Sequence, residues 1–528
     1  MVDYIAVLLM SMSLSAFCQE FDISGALNAE GSVYKTKFGD NEATQTEAIV
    51  IRPSILGSYS SRGLSASIAA SHSRIKRSVD TAGVNDNTSQ NFTNLRYTSD
   101  FTLIKNSLFL KLNGAQNYRA VNQQQADFSD EILASEDLTR YKNNSAQLNF
   151  SIPNPIYLGF TLQSTYSKTQ TDKSQAGQTG VDGDNLGVSA RLFQGKNIRP
   201  ISFDISVQYN DTSRANFQNF ESTRLRGDFG IPIIKEVEFI VTGNMEKNDS
   251  GQVQFTNRPN LDSSSYGAGL RWIPNNGRNL SLTYNQLDND GNKTDFLGVN
   301  INWAFSSRTG LDFDYGKRFY GDAYTFNFRH SLKSIRTSVS YSENVTTFSR
   351  LNASSNDING IFVCEFGSTE LTDCFQPGSL DYQLQVGQEF RASTEIDTDI
   401  SEEVLFRKSG TATIGYDKRK IKMSINAIYQ RTEYLESNRL STNRSLRFNF
   451  TYALGRRTNI NFASAVSRNQ FSELGEPDTT ITNSINFKRN LGRYLNMNIS
   501  ARLLDRESDN LGRDASDKRL TVGLNYTF

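Results

Sequence analysis

Histidine, cysteine, proline and tryptophan are nearly missing from this chain. It has 2 His, 3 Cys, 9 Pro and 2 Trp in 528 residues, and its 56 basic and 56 acidic side chains cancel. With two histidines, His72 and His330, zinc clusters and Cys-His nucleophile sites are essentially excluded. With no net charge, no overall field draws the chain to nucleic acid or to an anionic surface. Beyond the first twenty residues no apolar run reaches the roughly 18 positions that a membrane-spanning helix requires. Mean hydropathy is −0.50 and only 37% of residues are apolar, which in other chains accompanies disorder. Disordered chains lack aromatics, however, and this one carries 34 Phe and 22 Tyr beside 36 Gly. That combination reads as a long all-β protein in which half of every strand faces water.

The N-terminus resembles a secretory signal. Ile5 to Phe17 form an apolar stretch, and Ala16-Phe17-Cys18 places a small residue at each of the −3 and −1 positions before Gln19. The leading Met-Val-Asp-Tyr lacks the usual Lys or Arg, and Phe17 is too bulky for Cys18 to be a lipid-attachment site. The expected organisation is a signal peptide over residues 1–18 and a single domain over 19–528.

The end of the chain carries the clearest pattern. Leu520, Val522, Leu524, Tyr526 and Phe528 alternate with Arg519, Thr521, Gly523, Asn525 and Thr527. Strict period-two alternation places one set toward lipid and the other toward a lumen. A closing strand ending on Phe resembles the signal that outer-membrane proteins present to their assembly machinery, with Leu524, Tyr526 and Phe528 its apolar members. The alternation recurs in Leu297 to Phe305, Ile421 to Tyr429, Leu446 to Tyr452, Leu495 to Leu503 and Leu108 to Leu112. Such repetition without an interrupting helix predicts a transmembrane antiparallel up-and-down β-barrel, because a closed barrel pairs every backbone group and leaves no edge in lipid.

Loop lengths supply a second criterion, since barrels alternate short periplasmic turns with longer extracellular loops. Tight turns fall near 61–63, 104–106, 153–155, 195–197, 233–235, 274–277, 306–308, 332–334, 417–419, 454–456 and 491–493. Between them lie polar excursions at 37–44, 76–90, 120–142, 169–182, 249–262, 348–399, 471–478 and 508–514. Eleven turns separate twelve hairpins, giving about 24 strands with both ends periplasmic. A barrel of that size exceeds the 16–18 strands that already enclose an aqueous channel. The first strand pattern (Phe21, Ile23, Gly25) starts too near the signal for a separate plug domain, so 348–399 is the expected constriction or cap. It holds Cys364 and Cys374, which in an oxidising compartment read as a disulfide staple; a redox pair or metal site is disfavoured because no His lies nearby.

No catalytic residue or cofactor site emerges. His72 beside Ser71 and Ser73 is the one arrangement worth testing for hydrolase chemistry, but its parity with Leu64, Ile68 and Ala70 turns it toward lipid or headgroups. His330 reads as interfacial at a periplasmic strand end. Asp295, Asp312 and Asp314 cluster in sequence without calcium-loop spacing, so no metal is expected. Parity assigns Lys422, Arg447, Arg502 and Arg519 to the lumen, where a basic row would favour anions unless carboxylates pair with it.

One family resemblance adds to this. The segment Thr394-Glu395-Ile396-Asp397-Thr398-Asp399-Ile400-Ser401-Glu402-Glu403-Val404 leads into Phe406-Arg407-Lys408 and a strand closing in Tyr429-Gln430-Arg431-Thr432-Glu433-Tyr434. Strand starts of the form Arg456-Arg457-Thr458-Asn459-Ile460 and Ser307-Arg308-Thr309-Gly310-Leu311 accompany it. Over about 390–528 the chain resembles the outer-membrane barrels associated with PEP-CTERM and exopolysaccharide systems, a porin-like family. The resemblance implies an outer-membrane pore serving as passive exit conduit for exopolysaccharide. Its partners would be outer-membrane lipid and lipopolysaccharide, the barrel assembly machinery, the polysaccharide itself and periplasmic export components. A small-solute nutrient porin and a polysaccharide-binding adhesin, with loops 76–90 and 120–142 as the binding surface, are the alternatives.

Overall fold

The computed structural model describes residues 20–81, 84–120, 128, 131–133, 138–172, 181–198, 201–215, 217–250, 261–275, 277–289, 291–354, 361–365, 388–392, 401–472, 475–510 and 512–528. The signal segment 1–18, Cys374 and most of 348–399 lie outside the described residues.

The strands are β1 (Glu20–Phe38), β2 (Thr44–Ser60), β3 (Leu64–Thr81), β4 (Val84–Ile104), β5 (Leu108–Ala120), β6 (Leu138–Ser151), β7 (Leu158–Thr171), β8 (Asp182–Gln194), β9 (Ser202–Arg214), β10 (Phe220–Ile234), β11 (Val237–Asp249), β12 (Ser263–Asn275) and β13 (Arg278–Asn289). The chain continues with β14 (Asn292–Ser306), β15 (Thr309–Arg318), β16 (Gly321–Ser331), β17 (Ile335–Thr347), β18 (Ile361–Glu365), β19 (Gln388–Ala392), β20 (Val404–Lys418), β21 (Ile421–Tyr434), β22 (Arg439–Gly455), β23 (Thr458–Gln470), β24 (Asp478–Asn490), β25 (Leu495–Glu507) and β26 (Ala515–Thr527). All but β18 and β19 form one 24-stranded antiparallel sheet in which each strand pairs with the next, β17 with β20, and β26 with β1. The sheet is therefore closed. β18 and β19 make a separate hairpin that pairs Cys364 with Glu389 through the backbone.

All eleven tight turns sit where loop lengths placed them, between β2 and β3 and at every second connection after it. Several use left-handed residues: Asn106, Asn154 and Arg419 at φ 63°, 52° and 55°, and Gly277 at 81°. Asn and Gly tolerate that region because they avoid or offset the Cβ clash. One excursion is corrected. Residues 76–90 are mostly strand, since β3 and β4 stay paired from Leu64↔Phe101 up to Thr81↔Val84. Above the membrane both faces of a hairpin are wetted, so polar residues fill both and the alternation that marks a strand disappears.

The outward face is the apolar one. Leu297 is 64% exposed, Leu446 54% and Leu524 46%, values that fit contact with lipid rather than water. From Leu297 to Phe305 runs eight residue steps, about 27 Å along the strand and roughly 20 Å across a bilayer at typical tilt. Aromatic girdles bound this belt. On one rim, Tyr284 donates to Asp295 at 2.9 Å, Tyr266 to Gln286 at 2.8 Å and Tyr315 to Asp322 at 3.2 Å. On the other, the Trp272 and Trp303 rings lie 5.6 Å apart, and Tyr526 stands 6.1 Å from Phe528. Rings at the headgroup level keep an apolar body in lipid and a polar tip in water. Among the described residues no helix is long and apolar enough to cross a membrane; the strands do so.

Phe528 closes the seam. Gly25 and Phe528 exchange backbone hydrogen bonds of 2.8 Å in both directions. The Phe528 ring lies over Gly25 so closely that an added Cβ would come within 2.5 Å of it.

Candidate functional site: the lumen and its outer closure

The lumen is not an open cylinder. Phe348 directly follows β17, and its ring lies 6.2 Å from Tyr141 on β6, in one buried cluster with Val181. Those strands are eleven positions apart around the wall, roughly half the circumference. In a circular barrel of this strand number they would stand on the order of 40 Å apart. The walls are therefore pinched together at the outer end.

Three sets of contacts hold the pinch. The short helix Phe348–Ser354 lies against β6, β7 and β8. Ser349 donates to Glu402, and it approaches Gly183 so closely that a Cβ there would sit 2.5 Å from the Ser349 hydroxyl. Arg214, its side chain fully buried, donates to the Glu402 carbonyl at 2.7 Å and to the Glu436 carboxylate at 2.8 Å. Phe220, Leu261, Val345, Val404, Phe406 and Leu435 form one buried apolar cluster drawn from β10 round to the β21–β22 connection, with Phe319 and Tyr320 packed against it. Burial of six such side chains is a sizeable driving force, since each contributes about 1.5–3 kcal/mol.

The other side of the mouth is crossed by part of the β5–β6 connection. Phe128 is buried against Leu504 and Ala515, beneath Arg506 at 4.8 Å and 5.6 Å from Phe38. Glu131 is 5% exposed. It accepts from Arg52 at 3.1 Å and from Asn94 at 2.9 Å, while Arg77 reaches its backbone carbonyl at 3.4 Å. Tyr34 donates to the Ile132 carbonyl at 3.3 Å. A carboxylate that far from water persists only because cationic and amide donors replace its hydration.

Loop 120–142 was expected outside, as a surface for polysaccharide, and its described residues instead fold inward. Of 348–399, the expected constriction or cap, only Phe348–Ser354, Ile361–Glu365 and Gln388–Ala392 are described, and Phe348–Ser354 lies against β6, β7 and β8. Glu131 and Phe128 carry no periodic signal.

Below the closure the wall is polar. Across β22 to β26 and on to β1, the register lines up Thr451↔Asn461, Asn461↔Asn486, Asn486↔Ser500, Ser500↔Thr521 and Thr521↔Ser32 on the inward face. The side-chain carbonyls of Asn449, Asn486, Asn498 and Asn525 have no protein hydrogen-bond partner among the described residues. The predicted basic row is largely neutralised. Asp517, fully buried, lies 3.6 Å from Arg502 and 3.0 Å from Arg519, and Lys422 lies 3.8 Å from Asp417. Arg447 forms no ion pair with a carboxylate among the described residues, and its Nε and Nη1 have no hydrogen-bond partner there. Three of the four, all but Arg447, thus have a carboxylate beside them, as a neutral chain favours.

The remaining candidates resolve simply. His72 points outward and lies 2.9 Å from Thr93, while Ser71 and Ser73 face the opposite way and are buried. They cannot converge on one substrate. His330 sits 2.8 Å from Thr309 at the tight-turn end of the barrel. Asp295 bonds lipid-side Tyr284, whereas Asp314 bonds Arg226 and Asn300 inside the lumen, so the three aspartates do not meet. Of Cys364 only the backbone is described, and Cys374 not at all.

No protein-family model matches this chain, and no curated protein does. Among solved structures it is similar to the FrpB iron transporter from Neisseria meningitidis, at 9% identity over 96% of this chain and 83% of that one, with a TM-score of 0.43. It is similar also to the siderophore receptor PirA from Acinetobacter baumannii (8%, 96% and 80%, TM-score 0.40) and to the copper transporter OprC (10%, 96% and 81%, TM-score 0.37). From its own closed sheet, apolar belt and paired aromatic girdles, the chain is an integral membrane β-barrel of the outer-membrane type.

Proposed function

We propose that this barrel is an outer-membrane conduit for polyhydroxylated solute, exopolysaccharide leaving the cell in the leading form, with its outer mouth closed at rest. The observation that carries the reading is the amide- and hydroxyl-rich inner wall from β22 to β1, on which Arg502 and Arg519 are paired with Asp517. Its amides and hydroxyls stand in register across adjacent strands, and the amide oxygens of Asn449, Asn486, Asn498 and Asn525 have no protein hydrogen-bond partner among the described residues. Sugar hydroxyls can exchange with such groups as readily as water can. Movement would be passive in the barrel and driven from the periplasmic side by export components. Lipid and lipopolysaccharide would surround the belt, and Leu524, Tyr526 and Phe528 would engage the assembly machinery.

A second reading, a small-solute porin, is favoured by the constriction itself, because Phe128, Glu131 and the Phe348–Ser354 helix leave the outer half narrow. The deciding experiment compares secreted and cell-retained polysaccharide in strains with and without the protein. Loss of secreted polymer, with polymer held in the periplasm and secretion restored by the intact gene, supports the conduit. Unchanged secretion with slower uptake of small sugars supports the porin.

A further inference from the structure

A cavity of about 130 Å³ opens on the inner wall between β10 and β17. Its charged lining comprises Arg224, Arg226, Arg271, Lys317 and Arg318 against Asp228, Glu246, Asp314 and Glu343, five cations to four anions. Most of these are matched. Arg226 lies 3.0 Å from Asp314, Arg271 lies 3.5 Å from Asp228, and Glu343 lies 3.3 Å from Lys408. Arg224 is the exception among the four guanidinium groups.

Register places Arg224 directly opposite Glu246 on the inward face, the position where a cross-strand ion pair would ordinarily form. Glu246 is taken instead by Arg318, which comes from four strands away and forks onto both carboxylate oxygens at 2.7 and 2.5 Å. Asn248 adds a third donor to Glu246 at 3.2 Å. A bidentate guanidinium–carboxylate pair is the stronger arrangement, and with it formed Arg224 makes no hydrogen bond to Glu246. Arg224 makes no hydrogen bond or ion pair with any described residue. Its nearest compensation is already engaged, and three further guanidinium groups stand in the same cavity.

We infer that Arg224 is the primary contact of an oxyanion site in this cavity, suited to a carboxylate or phosphate group on a solute inside the barrel. The planar donor set of Arg224 matches such a group bidentately, and Ser263 and Ser265 on the same lining supply hydroxyl donors. The inference does not depend on the direction of transport or on the polysaccharide reading, because it concerns equilibrium binding by the isolated barrel.

The test is equilibrium dialysis of the full chain, folded in detergent, against inorganic phosphate and separately against glucuronate, at constant ionic strength. One saturable site per chain is expected for at least one probe, and the preferred probe distinguishes a phosphate-bearing from a carboxylate-bearing solute. Arg224→Gln should weaken binding at least tenfold. Arg318→Gln should weaken it as much although Arg224 remains, because Glu246 is then released to neutralise Arg224. Arg447→Gln, on the opposite wall, should leave binding unchanged within twofold. No saturable binding to either probe, wild-type binding by Arg318→Gln, or equal loss in Arg447→Gln would each overturn the assignment. Retention of heat-modifiable gel mobility establishes that each variant is folded.

Discussion

Glutamate 131 should be the latch of the outer mouth. Its carboxylate lies almost out of water between Arg52 and Asn94, with side-chain exposures of 6% for Glu131 and 16% for Arg52. Glu131→Gln keeps the shape and a hydrogen bond to Asn94 but removes the charge facing Arg52. Charge-assisted bonds contribute about 1.5–3 kcal/mol each, so a loss of about 2 kcal/mol is expected in the closed state. That is roughly a 30-fold shift toward a displaced segment. The half-exposed pair Lys422–Asp417, at 3.8 Å, belongs to the class of surface pairs contributing about 0–1 kcal/mol. Lys422→Gln is therefore the matched control. Single-channel recordings in planar bilayers should show more frequent or longer openings for Glu131→Gln and wild-type behaviour for Lys422→Gln. Identical opening of wild type and Glu131→Gln, or equal effects of the two variants, would refute the reasoning.

Three further outcomes follow from other parts of the barrel. Burial pushes the Glu402 carboxyl up to about 7, only partly offset by Ser349 and Arg214. Because the folded form holds its proton above the unfolded value of 4.5, the contribution of this site is greatest below pH 4.5 and falls, by at most about 3 kcal/mol, as pH rises to 7. Wild-type channels should open more readily at pH 7.5 than at pH 5, and Glu402→Gln should lose that dependence; a pH response retained in the variant rules this origin out. Gly25→Val would drive a side chain into the Phe528 ring, so the folded fraction on a heat-modifiability gel should drop as it does for Phe528→Ala. Normal assembly of both would show that the seam tolerates the loss. Ile499→Arg, mid-belt on the lipid face, should cost about 2–4 kcal/mol in urea unfolding from vesicles, whereas Asn498→Arg on the lumen face should cost little. Equal costs would mean the faces are misassigned.

Which face each strand residue takes was legible from sequence, because side-chain period in a strand is two and lipid tolerates only one of the resulting sets. Leu297 to Phe305 and Leu520 to Phe528 are readable by that rule alone, and turn spacing determined the 24 strands. Alternation fails above the membrane, where 76–90 is paired strand with polar residues on both faces. It is silent about shape as well. That the helix after β17 touches β6, that Arg318 rather than Arg224 holds Glu246, and that Glu131 reaches Arg52 are contacts between groups far apart along the wall. No periodicity encodes them, since a closed sheet of given strand number can be round or pinched with the same local pairing. Local sequence determined the barrel; only the packing of its interior decided where the barrel is closed, because that depends on which distant side chains meet once the ring has formed.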